Sequence, residues 1–500
     1  MAALVAIALW TSAARAQDSI RIRDAGPGLS GRVMQNAVRA PYVVLWNGTD
    51  TLSLAPGRSY PTTVIALAHH VTISGTVSGD VIVVGGDAFV HPGADVSGRV
   101  IAIGGGAYPS ALGRVAGGVT SFREETFVVS RIGGAWQLDY RAVTDDADGL
   151  SWQGTLGLQT PTYDRSDGLS VPVSPHVRLD SGVVALDPAV TYRSQLGVID
   201  PSITGLVQPT RRTMLRGVVE RGTFSNDRWI MSDLANSLSV VGDGADSRNW
   251  YRADRGSASI DHLWDGVQWS SDWHLGILVE RAWSVGPDSG TRREPWSFVD
   301  HASLEGMLRP NPAVVRGTIS SVQGGAVATW TGERASAAVS ADLEASLRSP
   351  TSEPTSGGPA SAEFVQGILN GFLTVPTVGA QRYHLEVHAV ATEGSAPPQR
   401  WAYLGGTGTL GTLGMLQLGG DQLFLADSRY EIPISAVSIP FAGSPVLALR
   451  HVVGSAGIGH VGDLRQLIGV RLSCAPVEGE LLMDTATRRV QASLGWSFVR

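Results

Sequence analysis

The sequence predicts an all-β chain: a small N-terminal β-solenoid followed by an antiparallel transmembrane β-barrel of about 16 strands. Three observations predict it. A five-residue pattern occurs three times at a fixed step between residues 77 and 119. Segments after residue 150 alternate strictly between apolar and polar side chains, the period of a strand with two unlike faces. Glycine makes up 61 of the 500 residues, which suits turns, solenoid corners and barrel strands better than helices.

The elements follow in chain order. Ala2 to Trp10 is an apolar run, and Ala14-Arg15-Ala16 fits a small-x-small cleavage site. Residues 1–16 are therefore expected to be a signal peptide, although no Lys or Arg precedes the apolar run. Residues 17–41 read as an N-terminal linker and 42–130 as the solenoid. Within it, Val77-Ser78-Gly79-Asp80-Val81 returns as Val96-Ser97-Gly98-Arg99-Val100 and again as Val115-Ala116-Gly117-Gly118-Val119. Val81 to Gly86 likewise matches Val100 to Gly105. Apolar runs broken by Gly at a fixed period predict stacked β-coils, with glycines at corners of positive φ. The stretch resembles the bactofilin-like, polymer-forming β-solenoid, over a length shorter than that family's usual core; the resemblance implies a small rigid module. His69 and His70 would point to opposite faces of a strand, which argues against a shared metal. Residues 131–149 read as a linker. Its Thr144-Asp145-Asp146-Ala147-Asp148-Gly149 is a calcium-loop fragment without the remaining ligands.

Residues 150–500 read as the barrel. From Val267 to Glu280 the odd positions include Val267, Trp269, Trp273, Leu275, Ile277 and Val279, and the even ones Gln268, Asp272, His274 and Glu280. Ala335 to Arg348, Arg382 to Ala389 and Leu423 to Ile434 alternate in the same way. No run of about 18 apolar residues follows the first segment, so a membrane crossing has to be a closed barrel, which satisfies every backbone group. Polar faces of both charge signs suit a wet lumen, and Trp and Tyr near strand ends suit an interfacial girdle. Sixteen spans run from 150–159 to 489–498. The long connections 349–362 and 392–422 fall at one end and the shorter 435–444 at the other, as in barrels with long outer loops. Asp227 to Val241 places Ile230, Leu234, Leu238 and Val241 at helical spacing, with Ser232 or Asp233 as cap.

The last part of the chain narrows the choice. Gln399-Arg400-Trp401-Ala402-Tyr403-Leu404-Gly405-Gly406 precedes Thr409-Leu410-Gly411, then Gly419-Gly420-Asp421, then Ala426-Asp427-Ser428-Arg429-Tyr430-Glu431-Ile432-Pro433. This pattern resembles the BamA-type bacterial surface-antigen barrel family. Tyr163-Asp164-Arg165-Ser166-Asp167-Gly168-Leu169, Leu234-Ala235-Asn236-Ser237-Leu238 and Asn249-Trp250-Tyr251 resemble earlier elements of those barrels. The resemblance implies that Gly405, Gly406, Thr409, Leu410 and Gly411 belong to a loop folded into the lumen. Asp427, Arg429 and Glu431 would then stand on the lumen wall, and Leu494, Trp496 and Phe498 on a terminal recognition strand. It also implies a bacterial outer-membrane location with a periplasmic N-terminal domain. Outer-membrane lipid, the barrel-assembly machinery during biogenesis and an unidentified periplasmic protein would be the partners. Two departures stand out. The family's loop Arg, which pairs with lumen-wall carboxylates, is replaced at Gly411 or Thr412, so the loop must be held otherwise or be mobile. The chain also ends Phe498-Val499-Arg500 rather than on an aromatic residue.

Other chemistry is not signalled. There is no Gly-x-Ser-x-Gly elbow, His-Glu-x-x-His or phosphate loop. Cys474 is the single cysteine, so an internal disulfide is impossible. A net charge of -7 without a Lys/Arg run gives no footprint for nucleic acid. His384 and His388 share a strand face about 13 Å apart, too far for one metal. No enzyme activity, metal or cofactor is expected. Three functions remain: a barrel assisting protein or lipid insertion, an anchor presenting the solenoid to a partner, and a passive pore.

Overall fold

The computed structural model describes residues 19–496, apart from 27–28, 47–50, 68–69, 111–112, 124, 133–134, 143–148, 153–158, 180–182, 211, 266–268, 286–295, 299–308, 333–334, 351–362, 435–436, 438–443 and 475–476. The expected signal peptide, His69, the calcium-loop fragment up to Asp148 and Phe498 lie outside the described residues. The chain is all-β, a solenoid followed by a barrel-forming sheet.

Three parallel sheets build the solenoid. Val81 pairs with Val100 and Val100 with Val119, so the 19-residue step of the sequence is one coil. Val81–Val84 and Val100–Ile103 are buried at every position, because both faces of their sheet are covered. Val81, Val83, Val100 and Ala102 fill the solenoid interior. Ile82, Val84, Ile101 and Ile103 face outward onto a helix and a small sheet. A strand covered on both sides has no reason to alternate, hence the unbroken Val/Ile runs.

Most of that cover comes from residues expected to be linkers, 17–41 and 131–149. Leu29–Ala37 is a helix whose Val33 and Met34 pack on the solenoid. Ile20–Asp24 pairs in parallel with Ala135–Ala142, which forms a hairpin with Glu125–Ile132. Phe127, Trp136 and Leu138 complete the layer. The helix is too short for its period to stand out, and its partners are distant in sequence. The glycine expectation also divides. Gly85 and Gly104 do hold positive φ, at 94° and 87°. Gly79 does not. A Cβ there would lie 2.5 Å from the Thr63 nitrogen, so the close approach of the next coil excludes a side chain.

Eighteen strand segments then form one antiparallel sheet. Gly149–Trp152 and Thr162–Asp164 pair with Pro175–Leu179 and Gly168–Val173 respectively. Each couple is one stave interrupted, the second around Ser174 and Pro175, a residue with no N–H to give the ladder. Counted as staves there are sixteen among the described residues, and the long ones reach 16 residues in Trp269–Ser284. The sheet is rolled, because the single connection 395–421 touches staves from the 269–284 strand to the last one. Trp269, Trp273, Leu275, Ile277 and Val279 are each about half exposed on the outer face, and Leu494 is 80% exposed. An outer belt of this kind suits lipid and not water. None of the described helices is long and apolar enough to cross a membrane.

Candidate functional site: a loop clamped in the barrel lumen

The connection 395–421 leaves the Arg382–Gly394 strand and returns into Gln422–Pro433. It folds as a 3-10 turn, Pro398–Arg400, and a short hairpin in which Ala402–Leu404 pairs with Leu418–Gly420. The Gly-Gly step turns the hairpin tip. Gly405 has φ 128° and Gly406 φ 80°, and a Cβ on Gly405 would sit 2.2 Å from the Gly414 carbonyl oxygen. Gly405 N–H donates to Thr409 Oγ1 at 2.8 Å, which ties the tip to itself. Leu410 is fully buried with Leu404 against Val390, Leu423, Leu425, Val452, Leu467 and Leu482 of the wall. At Gly411 a Cβ would meet Gln491 Oε1 at 2.2 Å, so the tip lies against the last strand, Val490–Trp496.

Arg400 supplies the electrostatic anchor. Its Nη1 donates to Glu280 Oε1 at 2.8 Å and its Nε to Glu344 Oε2 at 2.9 Å. Nη2 reaches Glu344 Oε1 at 3.2 Å, and Nη1 reaches the Tyr251 hydroxyl at 3.3 Å. Arg255 Nε donates to Glu280 Oε2 at 2.5 Å, so two guanidinium groups and two carboxylates neutralise one another in a buried cluster. The fork geometry of Arg suits two carboxylates at once. Neighbouring bonds hold the backbone. Gln399 both accepts from the Val315 N–H and donates to its carbonyl, at 3.2 and 3.0 Å. Gln366 Nε2 donates to the Arg400 carbonyl at 3.1 Å, and Asn226 Nδ2 to that of Gln399 at 2.6 Å. The loop is therefore held, not loose, and by a cation that precedes the Gly-Gly step. Sequence reasoning quoted Arg400 within the motif but sought the cation at Gly411 or Thr412.

Asp427 and Glu431 are lumen-wall carboxylates with partners on the wall. Arg450 Nη2 donates to Asp427 Oδ2 at 2.7 Å, and Arg429 lies 3.7 Å away. Glu431 pairs with His384 at 2.9 Å, and Arg429 with Glu386 at 2.5 Å. Arg450 continues to Glu480, which also holds Arg471. His384 and His388 have separate partners: Thr374 and Glu431 for the first, Asn370 for the second.

A second insert comes from 225–250. The helix is Asp233–Asp243, later than the predicted Asp227 start, with Ser232 Oγ accepting from the Ala235 N–H at 3.2 Å. Residues 227–229 form a separate 3-10 turn. Its Trp229 stacks on His388 with ring centroids 3.8 Å apart. The three earlier motifs meet here. Tyr163 N–H donates to Ser237 Oγ at 2.9 Å, and Arg165 N–H and Trp250 Nε1 both donate to Asp246 Oδ2. Asp227 accepts from the Asn249 N–H at 3.0 Å. Burial pushes its carboxyl up to about 7, and Oδ1 has no hydrogen-bond partner.

The terminal strand pairs with Val477–Asp484. Leu494 faces outward and Trp496 ends the described strand. Among the described residues the first and last staves share no ladder.

No protein-family model and no curated protein matches the chain. Solved structures with a similar fold include CdiB from Escherichia coli, at 9% identity and TM-score 0.40, covering 74% of this chain and 66% of that one. BamA from Haemophilus ducreyi lacking POTRA domains 1-3 matches at 12% identity and TM-score 0.41, covering 74% and 75%. CdiB from Acinetobacter baumannii matches at 9% and 0.39, covering 74% and 64%. The chain spans just under two thirds of the length of the two CdiB chains.

Proposed function

We infer that this chain is an outer-membrane barrel that assists the insertion or translocation of protein or lipid. The carrying observation is the lumen loop fixed to Glu280 and Glu344 through Arg400. A loop that enters a barrel, is neutralised inside it and presses its tip on the last strand is suited to govern access to that barrel. A passive pore is the weaker reading, because the 225–250 and 395–421 inserts narrow its lumen. The barrel sits in a bacterial outer membrane, with the solenoid on the periplasmic side where the short turns lie.

Deletion of residues 400–422 is the test. The truncated barrel is expected to remain in the outer membrane and to shift on a semi-native gel after boiling, yet to fail to restore a strain lacking the gene. Full restoration by the truncated barrel rules out the reading.

A further inference from the structure

The solenoid reaches into the barrel. Its contact residues, Ser78, Asp95 and Arg114, lie on or beside one sheet, where Asp95 and Arg114 are neighbours in register. Arg382 Nη2 donates to Ser78 Oγ at 3.3 Å, and its Nη1 lies 3.9 Å from Asp95 Oδ2. Arg114 lies 3.7 Å from Glu386, and its guanidinium sits 4.1 Å over the Phe372 ring. Phe372 and Glu386 are directly paired across two staves. Both share the inward face with Asn370, Thr374, His384 and His388. Arg382 is the first residue of its strand, at the short-turn end, and Glu386 stands about 13 Å further in. The next inward residue, His388, already carries Trp229 from the opposite end. The two inserts thus meet within one step of about 7 Å along that stave.

We propose that the solenoid is a releasable plug seated in the short-turn mouth of the barrel. The seat is selective because its two ion pairs have opposite polarity: acid on the solenoid to Arg382, base on the solenoid to Glu386. A shift or rotation sets like charges together. The seat is releasable because both pairs are long, at 3.7 and 3.9 Å, and Arg114 Nη2 is buried without a hydrogen bond. Glu386 also keeps Arg429 at 2.5 Å, so this wall carboxylate stays paired when the solenoid leaves. The inference depends on the barrel reading above but not on insertion activity.

Full-length protein in planar bilayers tests it. Wild type at low salt is expected to stay closed, and Arg114→Glu and Asp95→Arg to raise open time on the order of tenfold each. Arg123→Glu, just past the end of a strand in a different solenoid sheet, is expected to stay closed. Raising salt from about 0.1 to 1 M shortens the screening length from roughly 10 to 3 Å and should open wild type without any substitution. Steady conductance of wild type at low salt overturns the plug. So does a closed Arg114→Glu protein that still shifts on boiling and still ignores salt. If no form enters bilayers or shifts on boiling, the barrel reading falls and takes the plug with it.

Discussion

Arg400 shows what a single side chain does in this molecule. It meets two carboxylates in a buried cluster. Truncating one member of a buried charge cluster leaves the others unpaired, at a cost of about 3–5 kcal/mol. Arg400→Ala is expected to leave the barrel in the membrane while exposing 395–421 to added protease; a loop equally resistant in both proteins contradicts the clamp. Asp227 gives a pH dependence. Its carboxyl is raised to about 7 in the fold, against roughly 3.9 when unfolded. The buried neutral form therefore stabilises the 225–250 insert at low pH, and that contribution is lost as pH rises from about 4 through 7. Asp227→Asn should flatten the pH dependence of hydrogen exchange in 227–250 over that window. The sequence named Asp427 and Glu431 as wall carboxylates, but their partners Arg450 and His384 are set by ladder register, which one strand's pattern does not reveal. Arg400 was visible as part of a motif; its role needed Glu280 and Glu344, which lie 120 and 56 residues away.

Elements that repeat a local rule were legible. The strands of the barrel follow from period two, and the Arg348 end falls where expected because a Ser/Thr/Pro/Gly-rich stretch follows. Ser232 or Asp233 was expected as a cap, and Ser232 is the one, its hydroxyl satisfying a free N–H. Ser232→Ala should cost the 233–243 helix about 1 kcal/mol, read as faster amide exchange at Ala235 and its neighbours. The hairpin tip is stricter. Gly405→Ala forces a methyl into the Gly414 carbonyl at an unfavourable φ. It is expected to destabilise the tip by about 1–3 kcal/mol and to lower the temperature of the gel shift. An unchanged shift temperature argues against a rigid tip. The elements that escaped were the 29–37 helix and the 20–24 strand, both short, whose cause is the outer Val/Ile face they cover.

At the scale of the whole molecule the prediction concerns the lipid belt. Trp269, Trp273 and Trp264 stand on the outer face, each about half exposed. Brominated lipid should quench their emission in reconstituted protein, and Trp273→Phe should remove part of the quenchable signal. Emission insensitive to brominated lipid would return the sheet to water. The two-part architecture was readable because a 19-residue repeat and a two-residue repeat are different periods. The seating of one part in the other was not readable, since it depends on side chains meeting across 304 residues, as in Arg382 and Ser78.

The Arg400 clamp also orders events in time. Coils of the solenoid pair residues about 19 apart, and such local contacts close quickly. The clamp joins residues 120 apart and needs the 269–284 and 336–348 staves already paired on either side of the 317–331 stave. A chain made from its N-terminus therefore has a finished solenoid before the lumen exists, and the loop locks last, after the wall that receives it.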